Sequence, residues 1–270
     1  MSAVVLITGT STGFGRLAAE VLAKRGYTVF ATMRDPDGRN ASSSRALQEQ
    51  AGREGWNLHV LDLDVISETS VNLAVEKAIG MAGRIDVVIN NAGFGALGLT
   101  EAFTVEQFQR VFDVNLYGAV RVNRAVLPSM RRQRSGLLIH VSSGAGRYAI
   151  PCMAAYSGSK FALEALADAY RFELAPFGID SVLVEPGIHR TPILGKHDAC
   201  GRPGACGRLW RGGRHREPCA GPLRQRQPLA RNTRPGTGGG GFRHLDRNAV
   251  RTAASPHGAD ASHQGRVGAI

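Results

Sequence analysis

The chain has 270 residues, 43% of them apolar, and a formal charge of +11. That length allows one sizeable α/β domain with a well-buried core, and no apolar run approaches the roughly 20 residues needed to span a bilayer. The charge invites a nucleic-acid reading, but residues 1–196 hold 20 Lys and Arg against 18 Asp and Glu, a balance of +2, while residues 197–270 hold 13 Arg against 4 acids, a balance of +9. The charge therefore belongs to the tail, and no specific nucleic-acid partner is expected.

Strand-length apolar runs alternate with helical stretches. Ala3–Thr8 reads as a strand, and Gly13–Arg25 follows as a helix with Leu17, Ala18, Val21 and Leu22 on one stripe, ended by Gly26. Tyr27–Thr32 and Leu58–Leu63 are the next strands. Ser67–Met81 is a helix with Ser67 as its N-cap. Asp86–Asn90 is a strand, Val105–Met130 a long helix ending near Pro128, and Gly136–Val141 a strand. Met153–Ala175 is a helix stopped by Pro176, and Ile179–Glu185 is the last strand. Strands that alternate with helices need crossover connections, so the expected fold is α/β, a doubly wound parallel sheet of Rossmann type.

Three segments carry chemistry. Gly9, Thr10, Ser11, Thr12, Gly13, Phe14 and Gly15 follow the first strand and open a helix. A phosphate there meets backbone N–H groups and the positive end of the helix dipole, and glycine lets the backbone come close. Asn90–Gly93 closes the fourth predicted strand, beside the point where such sheets bind ligands. Tyr156 and Lys160 stand four apart on one helix face, where an ammonium lowers a phenol's pKa towards usable general acid–base chemistry. Ser142 and Ser143 end a neighbouring strand and can reach the same cleft.

TGTSTGFG (8–15), NNAG (90–93), VNLYG (114–118), VSS (141–143) and YSGSK (156–160), in this order, resemble the short-chain dehydrogenase/reductase family (SDR) from about Ala3 to Ile193. The resemblance implies an NAD(P)(H)-dependent oxidoreductase that moves a hydride between a nicotinamide cofactor and a carbonyl or secondary alcohol. Its catalytic tetrad falls on Asn115, Ser143, Tyr156 and Lys160. Tyr156 moves the proton and Ser143 bonds the substrate oxygen. Lys160 binds the ribose and lowers the tyrosine pKa, and Asn115 holds a relay water. The glycine loop, Asn91, Ala92, Gly93, Tyr156 and Lys160 would hold the cofactor, with Asp64 and Val65 at the adenine and Pro186, Gly187 and Thr191 at the nicotinamide. Met33 takes the place of the acid that bonds a ribose 2′-OH, and Arg34 can pair with a 2′-phosphate. NADP(H) is therefore preferred over NAD(H), with Asp35 and Asp37 as the reservation. FATMRDPDGR, RAVLPSMR and FALEALADAYRFEL are similar to bacterial relatives of hydroxysteroid and retinol dehydrogenases, which implies a lipophilic small-molecule substrate.

The SDR pattern stops after residue 196. The segment 197–270 has 14 of the 34 glycines and 6 of the 12 prolines and no apolar periodicity, so it reads as a disordered basic tail. The break has the character of a reading-frame shift that replaces the substrate lid and last strand. The rival function is thus a cofactor-binding chain impaired in catalysis. Interface elements of the family lie partly in that region, so a homo-oligomer is expected only with a native C-terminus. The spacing of Cys200, Cys206, His215 and Cys219 is no standard zinc pattern, and with Cys152 these cysteines make no disulfide framework in a chain this long. No metal is expected, and the absence of a leader pattern at the N-terminus points to a cytoplasmic protein without a membrane partner.

Overall fold

The computed structural model describes residues 2–187 and 198–199. These belong to one compact unit, Met1–Leu223; the second unit, Arg224–Ile270, lies wholly outside the described residues. The tail expected at 197–270 and the nicotinamide contact expected at Thr191 therefore fall outside them, apart from Asp198–Ala199.

In chain order the elements are β1 (Val4–Thr8), α1 (Gly13–Lys24), β2 (Thr28–Met33), α2 (Ala41–Glu54), β3 (Leu58–Asp62), α3 (Glu68–Ala82), β4 (Val87–Asn90), β5 (Ala96–Leu97), α4 (Val105–Phe112), α5 (Gly118–Gln133), β6 (Gly136–Val141), α6 (Ala154–Leu174), β7 (Ile179–Val184) and β8 (Asp198–Ala199). Six strands form a parallel sheet in the order β3-β2-β1-β4-β6-β7, and β5 pairs with β8 in a separate two-residue ladder. The strand order reverses beside β1, so the loops leaving β1 and β4 diverge and open a crevice. Every residue of β1 and β2 is buried, as a parallel sheet covered on both faces requires. One face packs Val4, Leu6, Phe30, Val88 and Leu138 against Val71, Val75 and Ala78 of α3, Val122, Val126 and Met130 of α5 and Leu174 of α6.

Two expectations from the pattern are corrected, and two elements were not expected. The helix expected over Val105–Met130 is two helices joined by a π-helical turn at Asp113–Tyr117. The second does not end at Pro128 but continues to Gln133. Pro128 and Arg124, the residue whose carbonyl loses its helical donor there, both lie on the exposed side, where water can serve that carbonyl. Helix α2 gave no signal because its buried face is only Ser44, Leu47 and Ala51. The ladder β5–β8 is too short for any hydropathy pattern, and it extends past the compositional boundary after residue 196, to Ala199. Elsewhere the helix caps match the reading: Ser67 accepts the Ser70 N–H at the start of α3.

The sheet also carries a buried polar patch. His140 is aligned with Asn90 on the neighbouring strand, and Asn90 donates its side-chain amide to Asn123 of α5 at 2.8 Å. The His140 ring is fully buried, stacks on Tyr170 at 6.2 Å between centroids, and among the described residues neither ring nitrogen has a hydrogen-bond partner. Burial, reinforced by the Lys160 charge, pushes it down to about 4. The unfolded chain therefore binds this proton below about pH 6.5 while the folded chain refuses it until about pH 4, so stability falls as pH drops through that window. In urea unfolding at about pH 7 and about pH 4.5, His140→Phe is expected to lose less stability than the parent between the two conditions, by an amount on the order of 2–3 kcal/mol. Equal losses would remove His140 as the cause.

Candidate active site

The C-terminal ends of β1, β2, β4 and β6 deliver the residues singled out in the sequence. After β1 the chain turns at Gly9 and Gly13, both with positive φ (71° and 63°). A Cβ on Gly9 would stand 2.9 Å from the Ala92 Cα, and one on Gly15 would collide with the Gly9 carbonyl and the Asn91 side chain. The turn thus accepts only glycine at these two places. Thr10 is buried and donates both its N–H and its hydroxyl to the Thr32 carbonyl. Ser11, Thr12 and Phe14 are half-buried around the mouth of α1. That helix has no acidic residue in its first turn, and the Thr12 side chain does not cap it. No carboxylate of its own first turn opposes an anion at the positive end of the dipole, so the cradle fits a pyrophosphate.

The turn after β4 is tied to the same loop. Asn91 donates its side-chain amide to the Thr8 and Gly9 carbonyls at 2.9 and 3.0 Å. The Thr8 hydroxyl accepts the N–H groups of Asn91 and Ala92, each at 3.0 Å. Gly93 stands against the catalytic-tetrad candidates: a Cβ there would lie 3.0 Å from Asn115 Oδ1 and 3.7 Å from Lys160 Nζ.

The π-helical turn places Asn115, which is 2% exposed. Its Oδ1 accepts the Phe94 N–H at 3.0 Å, and its Nδ2 donates to the Phe94 carbonyl at 3.1 Å and to Ser159 Oγ at 3.0 Å. The widened turn aims one amide at both the β4 loop and α6. Ser143 follows β6; its hydroxyl accepts the Ala145 N–H at 3.2 Å and faces the Tyr156 phenol closely enough to act on its pKa. Tyr156 and Lys160, one turn apart on α6, are both buried, with the Lys160 ammonium 5.8 Å from the centre of the phenol ring. Lys160 donates to the Val141 carbonyl at 2.8 Å. Asn115, Ser143, Tyr156 and Lys160 are thereby gathered in one place.

The electrostatics differ from the simple expectation that the lysine lowers the phenol. Burial pushes the Tyr156 phenol up, and the Ser143 hydroxyl is what opposes it. Burial also pushes Lys160 down to about 8, against the favourable charge of Glu164.

At the far end, Met33 is buried and Arg34 is half-exposed, 3.9 Å from the Asp64 carboxylate. Asp35, a reservation against NADP(H), is occupied by its own turn: its carboxylate accepts the N–H groups of Gly38 and Arg39 at 3.1 and 2.7 Å. Asp37 and Arg39 are exposed, and Arg39 is a second cation that the sequence reading missed. Asp64 accepts the Ile66 N–H, and Val65 packs under Gly118. Pro186 receives the Gly144 N–H on its carbonyl at 3.2 Å, and Gly187 is the last residue described in this stretch.

The profile of the short chain dehydrogenase family matches residues 3–199. The chain belongs to the short-chain dehydrogenase family. It is 39% identical over 188 residues to the 3-ketodihydrosphingosine reductase of Bacteroides thetaiotaomicron, covering 70% of this chain and 64% of that protein. It is 40% identical over 196 residues to human retinol dehydrogenase 8, covering 71% of this chain and 60% of that one. The chain thus spans less than two thirds of the length of these curated relatives. Among solved structures, a short-chain dehydrogenase from Streptomyces avermitilis superposes with a TM-score of 0.68 at 32% identity, over 77% of this chain and 76% of that one. A gluconate 5-dehydrogenase from Burkholderia cenocepacia, solved with NADP and tartrate, gives 0.66 at 26% identity, over 72% and 74%.

In this dehydrogenase fold the three Asn115 hydrogen bonds link α4–α5, the β4 loop and α6. Asn115→Ala removes the partner of the half-buried Phe94 N–H and carbonyl and one of the two hydrogen bonds of the Ser159 hydroxyl. Urea unfolding is expected to show a loss of about 2–4 kcal/mol; a loss below about 1 kcal/mol would mean that the amide is not a structural tie.

Proposed function

We propose that this chain is an NADP(H)-preferring oxidoreductase that interconverts a carbonyl and a secondary alcohol on a lipophilic small molecule, with Tyr156 moving the proton. The reading is carried by the meeting of Tyr156, Ser143, Lys160 and Asn115 beside an open anion cradle. When bound in that cradle, the nicotinamide cofactor supplies or takes up the hydride. A phenol held above its ordinary value is protonated at neutral pH and serves as a proton donor to a carbonyl oxygen. Ser143 hydrogen-bonds the same oxygen and holds it against the phenol. Lys160 binds the ribose hydroxyls and adds positive charge beside Tyr156, and Asn115 holds the water of the proton relay.

The cofactor preference rests on β2. Its last residue is an apolar, buried Met33 where a 2′-OH would want a carboxylate, and Asp35 is engaged by its own turn. Arg34 and Arg39 are exposed cations beside that end, and a guanidinium suits a phosphate. Asp64, Val65, Asn91, Ala92, Gly93, Pro186, Gly187 and Thr191 complete the proposed cofactor contacts. The lipophilic substrate is supported by an apolar cluster next to Tyr156, built from Ala96, Val111 and Ala155 with Phe94, Phe103 and Phe108 against it. The names of the reductase and dehydrogenase relatives point to the same class of compound.

Tyr156→Phe removes only the hydroxyl. NADPH-coupled reduction of a panel of long-chain ketones and aldehydes is expected to fall about a thousandfold, with NADPH affinity held within about threefold. Full turnover in the variant would contradict the role of Tyr156. Tight NADPH binding without turnover in the parent chain would favour a cofactor-binding protein impaired in catalysis.

A further inference from the structure

The α6 helix carries a second buried charge that the reaction as described leaves without a task. Glu164 stands four residues after Lys160 and is 4% exposed, as is Lys160. Residues at this spacing share one helix face. The Glu164 carboxylate accepts the Ser142 hydroxyl at 2.5 Å and pairs with Arg147 Nε at 2.9 Å. Arg147 is also bound to Glu185 Oε1 at 3.0 and 2.8 Å. Gly146 allows this closure: a Cβ there would collide with the carboxylate and lie 2.6 Å from Ser142 Oγ. Ser142 and Arg147 flank the short segment that carries Ser143, so one carboxylate holds both ends of that segment to α6.

A buried carboxylate normally escapes its desolvation cost by taking a proton. Here burial pushes Glu164 up, while the Ser142 hydrogen bond and the Arg147 guanidinium work against that. The charges facing the Lys160–Glu164 stretch are few. Arg147 comes from the segment after β6, Asp168 from the next turn of α6 and Glu185 from the end of β7. His140 of β6 is held neutral near neutral pH, and the Tyr156 phenol stays protonated. Among the described residues, Glu164 is the carboxylate that acts on the lysine.

We propose that Glu164 is a positioning residue of the site: its carboxylate is the negative charge that balances the Lys160 ammonium, and it fastens the segment carrying Ser143 to α6. The proposal rests on the reading that Lys160 and Ser143 serve the oxidoreductase chemistry. Burial alone drives Lys160 towards the neutral amine, and Glu164 is the charge that limits this drop. Loss of the carboxylate lets the ammonium form fade at lower pH.

The test reads Lys160 directly, in the cofactor-free full chain, by NMR titration of isotope-labelled lysine; the remaining lysines are Lys24, Lys77 and Lys196. Glu164→Gln keeps an oxygen that can accept the Ser142 hydroxyl and removes only the charge. Its Lys160 midpoint is expected to fall from about 8 by about one pH unit. NADPH-coupled turnover should drop about threefold near pH 7.5 and recover near pH 6, where the lysine is charged again. Ser142→Ala keeps the charge and loosens the segment, so it should lower turnover and leave the midpoint within about 0.3 pH unit. A Glu164→Gln midpoint within about 0.3 pH unit of the parent overturns the proposal, since a purely structural tie would give that result. Should that variant fail to fold, the parent titration decides: protonation of Glu164 must appear as a second, acid-side inflection in the Lys160 signal, and its absence overturns the pairing. A shifted midpoint in a chain that binds no NADPH would overturn the cofactor reading and leave the pairing standing.

Discussion

The Thr8 hydroxyl, at the last residue of β1, holds the crevice together. It accepts two N–H groups from the turn after β4 and itself donates to the Ile89 carbonyl at 3.4 Å. Asn91 returns the contact by donating to the carbonyls of Thr8 and Gly9. These bonds join two loops that the strand order sends apart, exactly where a doubly wound sheet must open to admit a ligand. The glycine turn, the mouth of α1 and Gly93 inherit their positions from this join. Through Gly93 and Phe94 it extends to Asn115, and through Asn115 to Ser159 in the helix of Tyr156 and Lys160. Polar groups dominate here because loops that must separate have no side-chain core of their own. Their buried peptide groups need partners, and short polar side chains supply them.

Charge is the second constraint. Lys160, Glu164 and His140 are buried together, and each pays a desolvation cost that burial alone would settle by discharging it. Histidine yields completely and is neutral. Lysine yields part of the way, to about 8. Glutamate is restrained by Ser142 and Arg147. The sheet can therefore keep a cation beside a phenol, near neutral pH, in a place where water is scarce. The cost falls on acid stability, through His140, rather than on the site.

Much of this was readable in the residues. The apolar runs of β1, β2, β4 and β6 announced a parallel sheet, because burial on both faces leaves no room for alternation. Tyr156 and Lys160 share a helix face at a spacing that any helix imposes, so their meeting needed no tertiary information. Other features were hidden for physical reasons. The break in the long helix at Asn115 depends on partners from the β4 loop and α6, which no local pattern encodes. Pro128 signals a helix end locally, yet a solvent-facing carbonyl at Arg124 removes most of the penalty. Helix α2 buries two small residues and one leucine, too little for a stripe. Asp35 reads as a competitor for the cofactor ribose until its turn is seen to consume the carboxylate. Glu164 reads as an ordinary charged helix residue, and only burial beside Lys160 and Ser142 makes it unusual.

The central claim is that the residues up to Gly187 already assemble a cradle for a phosphorylated nicotinamide cofactor. Calorimetric titration of the full chain with NADPH and with NADH, at matched ionic strength, addresses it most directly. The account predicts one site per chain that binds NADPH at least about tenfold more tightly than NADH, a difference of about 1.4 kcal/mol. Equal affinity for the two would contradict the part assigned to Arg34 and Met33. No binding of either would contradict the cradle itself.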